Sequence, residues 1–119
     1  MQIPKPSDAA KERFTSSMPD DPRVVVKPMF GNLGAFVNGN MFAGLFGDRI
    51  GVRVLDEGVR TELESTEGAG PFGPEERPMG GYVSVPEAWD REPERLTEWV
   101  ERAFDEVAQL PPKAPKSKR

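Results

Sequence analysis

The Asn38-Gly39 and Gly47-Asp48 pairs, with only seven residues between them, limit the possible folds of this chain more than any other feature. Asn-Gly accepts the two positive φ angles of a tight type I′ turn, and Gly-Asp is a reversal of similar kind. The flanking segments read as strands: RVVVKPMF (23–30), LGAFV (33–37), NMFAGLF (40–46) and RIGVRVL (49–55). Gly31-Asn32 permits a third reversal between the first two. Strands joined by two residues pair antiparallel, because a parallel pair needs a long crossover. The expected result is a four-stranded meander. Pro28 cannot donate to a ladder, which puts the first strand at an edge or gives it a bulge near its end. In the fourth strand Ile50, Val52 and Val54 alternate with Arg49, Gly51 and Arg53, giving one buried and one wet face.

The stretch from Met29 to Gly44 carries no charge. Strands 33–37 and 40–46 are apolar on both faces, so both faces need cover, from helices or from another subunit. Phe36, Phe42 and Phe46 are the side chains that most need it. Membrane insertion does not suit the segment, because turns interrupt it and nothing basic flanks it.

Helices are expected on either side of this sheet. Ser7 or Asp8 caps a short first helix whose Ala10, Phe14 and Met18 share a face, and Pro19 ends it. Asp56 caps a second, with Val59 and Leu63 four apart. Residues 67–78, EGAGPFGPEERP, read as a loop. A fifth strand forms around Tyr82, Val83 and Val85, and PEAWD (86–90) makes one helical turn. Asp90 is the candidate cap of the last helix, in which Leu96, Trp99, Val100, Ala103, Phe104, Val107 and Leu110 trace a continuous stripe. Pro111-Pro112 stops it. The fold class is therefore α+β, an antiparallel sheet of about five strands with helices at both ends, in one domain over residues 1–110. Residues 111–119 form a basic, proline-containing tail expected to be disordered.

Composition narrows the chemistry. With no cysteine and no histidine among 119 residues, thiol nucleophiles, disulfides and the commonest general base and metal ligand are all excluded. No catalytic residue and no metal site is assigned. The last nine residues hold four of the 16 basic groups and no acid, so residues 1–110 carry 12 basic against 20 acidic groups, a net −8. Such a body repels phosphate backbones, which counts against direct nucleic-acid binding. No apolar run is long enough to span a membrane and no signal-peptide pattern opens the chain, so a cytoplasmic location is expected.

Several constellations invite a chemical reading. GAGPFG (68–73) matches G-x-G-x-x-G, yet a helix precedes it and Pro71 and Pro74 obstruct a helix after it, so a plain loop is the better reading. Glu62, Glu64, Glu67, Glu75 and Glu76 read as solvated charge. Trp99 belongs to the core stripe, and Tyr82 and Trp89 are open to either a core or a surface role. Lys27 lies in a strand beside apolar neighbours. Lys27, Arg53 and Tyr82 together form a candidate ligand set, fixing an anionic group between the sheet and the 67–78 loop.

From Val26 to Ala43 the chain reads V-K-P-M-F-G-N-L-G-A-F-V-N-G-N-M-F-A. This resembles the TfoX/Sxy family's N-terminal domain, with its R-M-F-G-G-x-G stretch and D-G-x-M-F-A return. Met29, Phe30, Gly31, Gly34, Gly39, Met41, Phe42 and Ala43 match. Pro71-Phe72, Pro78-Met79 with Tyr82, and Val85-Pro86 extend the likeness over roughly residues 7–110. Pro28 stands where arginine is usual and Asn32 where glycine is. The resemblance implies an antiparallel sheet with helices mainly on one side. It also implies a non-enzymatic regulatory or protein-interaction module without cofactor, related to regulators of DNA-uptake competence that act with a transcription factor. The helical second domain of those regulators is not expected in a chain with so short a tail. The expected partner is a protein, such as a transcription factor, and the expected state a homodimer. Lys27, Met29, Phe30 and Gly31 are the candidate interaction surface, unless that segment is simply a strand-to-strand corner.

Overall fold

The computed structural model describes residues 5–29, 32–73 and 78–111. Helix α1 (Asp8–Ser16) begins where expected, with the Ser7 hydroxyl accepting from the Ala10 N–H at 3.1 Å. It buries Ala10 and Phe14 completely. The chain then forms β1 (Val25–Met29), β2 (Asn32–Val37), β3 (Asn40–Phe46) and β4 (Arg49–Arg53). Helix α2 (Glu57–Glu64) follows, with the Asp56 carboxylate accepting from the Val59 N–H at 3.0 Å. Next come β5 (Gly70–Pro71), β6 (Tyr82–Ser84), a 3₁₀ turn (Glu87–Arg91) and α3 (Pro93–Ala108).

All pairings are antiparallel and the strand order is β1-β2-β3-β4-β6-β5. The meander is the one that the turns dictate. Asn38 and Gly39 have φ of 54° and 80°, the left-handed values that a type I′ turn requires. Pro28 sits on an edge strand, where its missing N–H costs no ladder bond. The sheet has six strands rather than about five. Gly70 and Pro71, inside the expected loop, pair with Ser84 and Val83 of β6. A two-residue strand leaves no periodicity to read.

One irregularity decides which residues face which way. Ala35 pairs with Ala43, but Phe36 pairs with Met41, so Phe42 is an extra residue with no partner on β2. This bulge lets Phe42 join Ala43 and Leu45 on the helix-bearing face, where its ring meets Phe104 of α3 edge-to-face at 5.3 Å. Ala35, Val37, Ile50, Val52 and Val83 point the same way. Against them α3 lays Leu96, Val100, Ala103, Phe104 and Val107, all buried. Trp99 is only half-buried at the edge of that stripe, with the Arg102 guanidinium 4.3 Å from its ring centroid. Trp89 is a core residue.

The expected cap of α3 needs correction. Asp90 lies within the 3₁₀ turn and its carboxylate meets the Arg13 guanidinium at 3.4 Å. Glu92 is the residue before the helix, and Pro93 opens α3 with a φ already suited to it.

Candidate functional site

Strand alternation leaves a second sheet face that no helix among the described residues covers. It displays Val25 and Lys27 from β1, Gly34 and Phe36 from β2, and Met41, Gly44 and Phe46 from β3. From β4 and β6 it takes Arg49, Gly51, Arg53, Tyr82 and Ser84. Read across the register, one row is Lys27–Gly34–Gly44–Gly51–Ser84–Gly70. Five of its six members are glycine or serine, so the sheet is bare backbone along that line.

Phe72 fills the bare strip. A Cβ on Gly51 would fall into the Phe72 ring, with even Cε1 at 2.8 Å, and one on Gly44 would meet Cζ at 3.0 Å. The ring therefore lies directly on the backbone of β3 and β4, with only 3% of Phe72 exposed. Phe46 meets it edge-on at 6.3 Å and Tyr82 flanks it at 6.1 Å. Its position is fixed on both sides in sequence: the Ser84 hydroxyl donates to the Pro71 carbonyl at 2.8 Å, and the Met79 N–H donates to the Phe72 carbonyl at 2.8 Å. Gly34 is filled by its neighbours instead, with Phe36 Cε1 at 2.9 Å and Met41 Sδ at 3.1 Å from a Cβ built there. Strands apolar on both faces call for cover by helices or a second subunit. Over the middle of this face the cover is the chain's own loop.

The residues singled out from sequence separate into three places. Arg53 and Tyr82 are direct cross-strand partners. The Tyr82 hydroxyl donates to the Met41 carbonyl at 3.1 Å. Burial pushes its pKa up, opposed in smaller part by the Arg53 charge. Lys27 is three strands away, about 14 Å across the sheet, with its ammonium 4.6 Å from the Phe36 ring centroid. Met29 closes β1 opposite Asn32. Phe30 and Gly31 lie outside the described residues, as do Glu75 and Glu76. The structure thus joins Arg53 to Tyr82 and sets Lys27 apart, and from the loop the Phe72 ring packs onto the sheet at Gly44 and Gly51.

Tyr82 gives a direct check on this environment. Its folded-state pKa is raised, so the folded protein holds the phenolic proton more tightly than the unfolded chain does. That contribution is present below the ordinary tyrosine value of 10.0 and is lost as pH rises through the folded value. Tyr82 is the single tyrosine, so an ultraviolet titration reads it alone and should show a midpoint above 10.0.

Other surface features are less specific. Open clefts of about 390 and 530 Å³ flank the 3₁₀ turn, the first beside Arg49, Glu67 and Glu87, the second beside Arg13, Asp48 and Asp90. Each mixes both signs, which fixes neither an anion nor a cation. Among the described residues, no three acidic side chains converge as a metal would require. Among them too, no helix is long and apolar enough to cross a membrane.

With the sheet, its bulge and the P-F loop in place, the family comparison falls on the same ground. The family model described as the TfoX N-terminal domain matches residues 18–107. The chain belongs to that family. The matched span includes all six strands, Phe72 and nearly all of α3, so the glycine row and its aromatic cover lie wholly within the TfoX domain. No curated protein matches the chain. Membership points to a regulatory, competence-related module, and the TfoX N-terminal domain is not known as an enzyme family.

Sequence reasoning missed Phe72, Ser84 and the glycine row. The Gly44–Gly51 pair was legible by counting back from the Gly47-Asp48 turn. Gly34 reaches the row only because of the bulge.

Proposed function

We propose that this TfoX domain is a non-enzymatic, cytoplasmic regulatory module that acts by binding another protein through the helix-free face of its sheet. The observation carrying this reading is the character of that face. Phe36, Phe46 and Tyr82 remain partly exposed on it beside Lys27 and Arg53, while Phe72 fills the site that a small ligand would need. Partly exposed aromatic rings with a cationic rim suit a macromolecular contact better than an enclosed small-molecule site. A transcription factor of a competence system is the partner that the family relationship favours. A homodimer on the same face would set Lys27 and Arg53 near their own copies, so a different protein suits it better; sedimentation at rising concentration separates these two cases.

Affinity capture from the native cell with the full chain tests the reading. A specific protein should be retained by the wild type and lost with Phe36→Asp, while Glu98→Lys on the outer side of α3 retains it. Capture of no protein, or capture unaffected by Phe36→Asp, would count against it.

A further inference from the structure

The acids of this protein are distributed unevenly. The six strands contain Lys27, Arg49 and Arg53 and not one aspartate or glutamate. Alternation turns all three cations to the helix-free face, whereas the helical layer carries Glu57, Glu62, Glu94, Glu98 and Glu101. Arg49 is committed to its own chain, donating to the Gly68 and Val85 carbonyls at 3.1 and 3.4 Å. Lys27 lies over the Phe36 ring and Arg53 beside Tyr82, and neither forms an ion pair among the described residues. Among the described residues the ion pairs are Arg13–Asp90, Arg23–Asp21 and Arg95–Glu92, none on this face. Among the described residues, a protein with acids to spare has left two cations without an acidic partner on strands that carry no acid.

An apolar strip starts beside Lys27 and runs across the sheet to Arg53. Val25 pairs with Phe36 and Phe36 with Met41, and Tyr82 beyond Arg53 bonds the Met41 carbonyl. Val25 is 52% exposed and Phe36 partly so. Three strand spacings across the sheet and two residues along it separate the two cations, about 16 Å, which an extended segment spans in roughly four to five residues.

We propose that this strip docks a short acidic segment of a partner protein, one carboxylate on Lys27, a second about four residues on at Arg53, and an apolar side chain on Phe36 between them. Charge complementarity selects this occupant. Two cations on a body of net −8 are too few to hold a phosphate backbone, which needs many contacts. An anionic membrane likewise draws on a cluster of roughly four or more basic groups. A second copy would bring like charges together. Addition of a strand at an edge is also disfavoured, because β1 carries Pro28 and Lys27 and β5 is two residues ending in Pro71.

The proposal rests on the protein-interaction reading but fails separately from it. Fluorescence anisotropy of the full chain would use labelled peptides of about ten residues, enough to cover the strip with short flanks. One peptide carries two glutamates four apart around leucine, a second has lysines in their place, and a third keeps the glutamates without leucine. The acidic-leucine peptide should bind in a salt-dependent manner and the other two roughly tenfold or more weaker. Lys27→Glu/Arg53→Glu should weaken it by a similar factor and bind the lysine peptide in its place, which also shows that the variant is folded. Glu98→Lys should change neither. Absence of binding, indifference to the double reversal, or tighter binding of a single-stranded oligonucleotide, an anionic vesicle or a second copy would each overturn the proposal. If a native partner is still captured through another surface, the broader reading survives alone.

Discussion

Replacing Gly51 by valine should destabilise this protein by about 3 kcal/mol, the upper end of what overpacking costs and a large part of the roughly 5–15 kcal/mol that a domain of this size commands. The backbone is not the reason, since a strand accepts valine readily. The reason is Phe72, whose ring occupies the place that the new side chain would take. Either the sheet is overpacked or the ring is expelled, and expulsion exposes an aromatic side chain that is now 3% accessible. Phe72→Ala removes the same contact from the other side and should cost about 3–5 kcal/mol. In Gly51→Val/Phe72→Ala the valine enters the vacated space, so the double variant should be more stable than the sum of the two losses by about 1–3 kcal/mol. Urea unfolding of the four proteins measures this cycle. Additive effects, or a Gly51→Val protein as stable as the parent, would show that the ring is not seated there.

The second large effect is expected on the opposite face. Phe104→Ala should cost about 3–5 kcal/mol, because it removes a buried ring and the edge-to-face partner of the bulged Phe42. The Arg23 guanidinium, 5.1 Å from the Phe104 ring centroid and held by two hydrogen bonds from its own side chain to Asp21, loses its platform as well. By contrast Trp99→Ala on the same helix should cost less, because Trp99 is only half-buried. A larger loss at Trp99 than at Phe104, measured by the same unfolding experiment, would contradict this packing.

Local patterns carried much of the architecture. The Asn38-Gly39 and Gly47-Asp48 turns specified the meander, Pro28 called for an edge or a bulge, and the stripe from Leu96 to Leu110 specified the helix that covers one face. What stayed hidden depends on pairs far apart in sequence. The bulge at Phe42 shifts β3 by one residue against β2 and so redistributes three phenylalanines: Phe42 to the helices, Phe36 and Phe46 to the other side. No periodicity within the strand announces it. Phe72 lies in a segment so rich in glycine and proline that it reads as loop, and its role appears only when Gly44 and Gly51 are placed side by side. Asp90 looked like a cap because it precedes the helix, but Arg13, 77 positions earlier in the chain, holds its carboxylate instead. The candidate site was legible by halves. Arg53 and Tyr82, grouped from the sequence, are cross-strand neighbours, while the place of Lys27 required knowledge of how many strands intervene.

The middle of the second sheet face is sheltered by the chain's own Phe72, while Val25, Lys27 and Phe36 beside it stay exposed or partly so. Nuclear Overhauser effects between the Phe72 ring protons and the α protons of Gly44 and Gly51, recorded on dilute monomer, test it most directly. Strong effects from Phe72 to both glycines are the predicted result. Their absence from a folded monomer, or their appearance only once the protein dimerises, would contradict it.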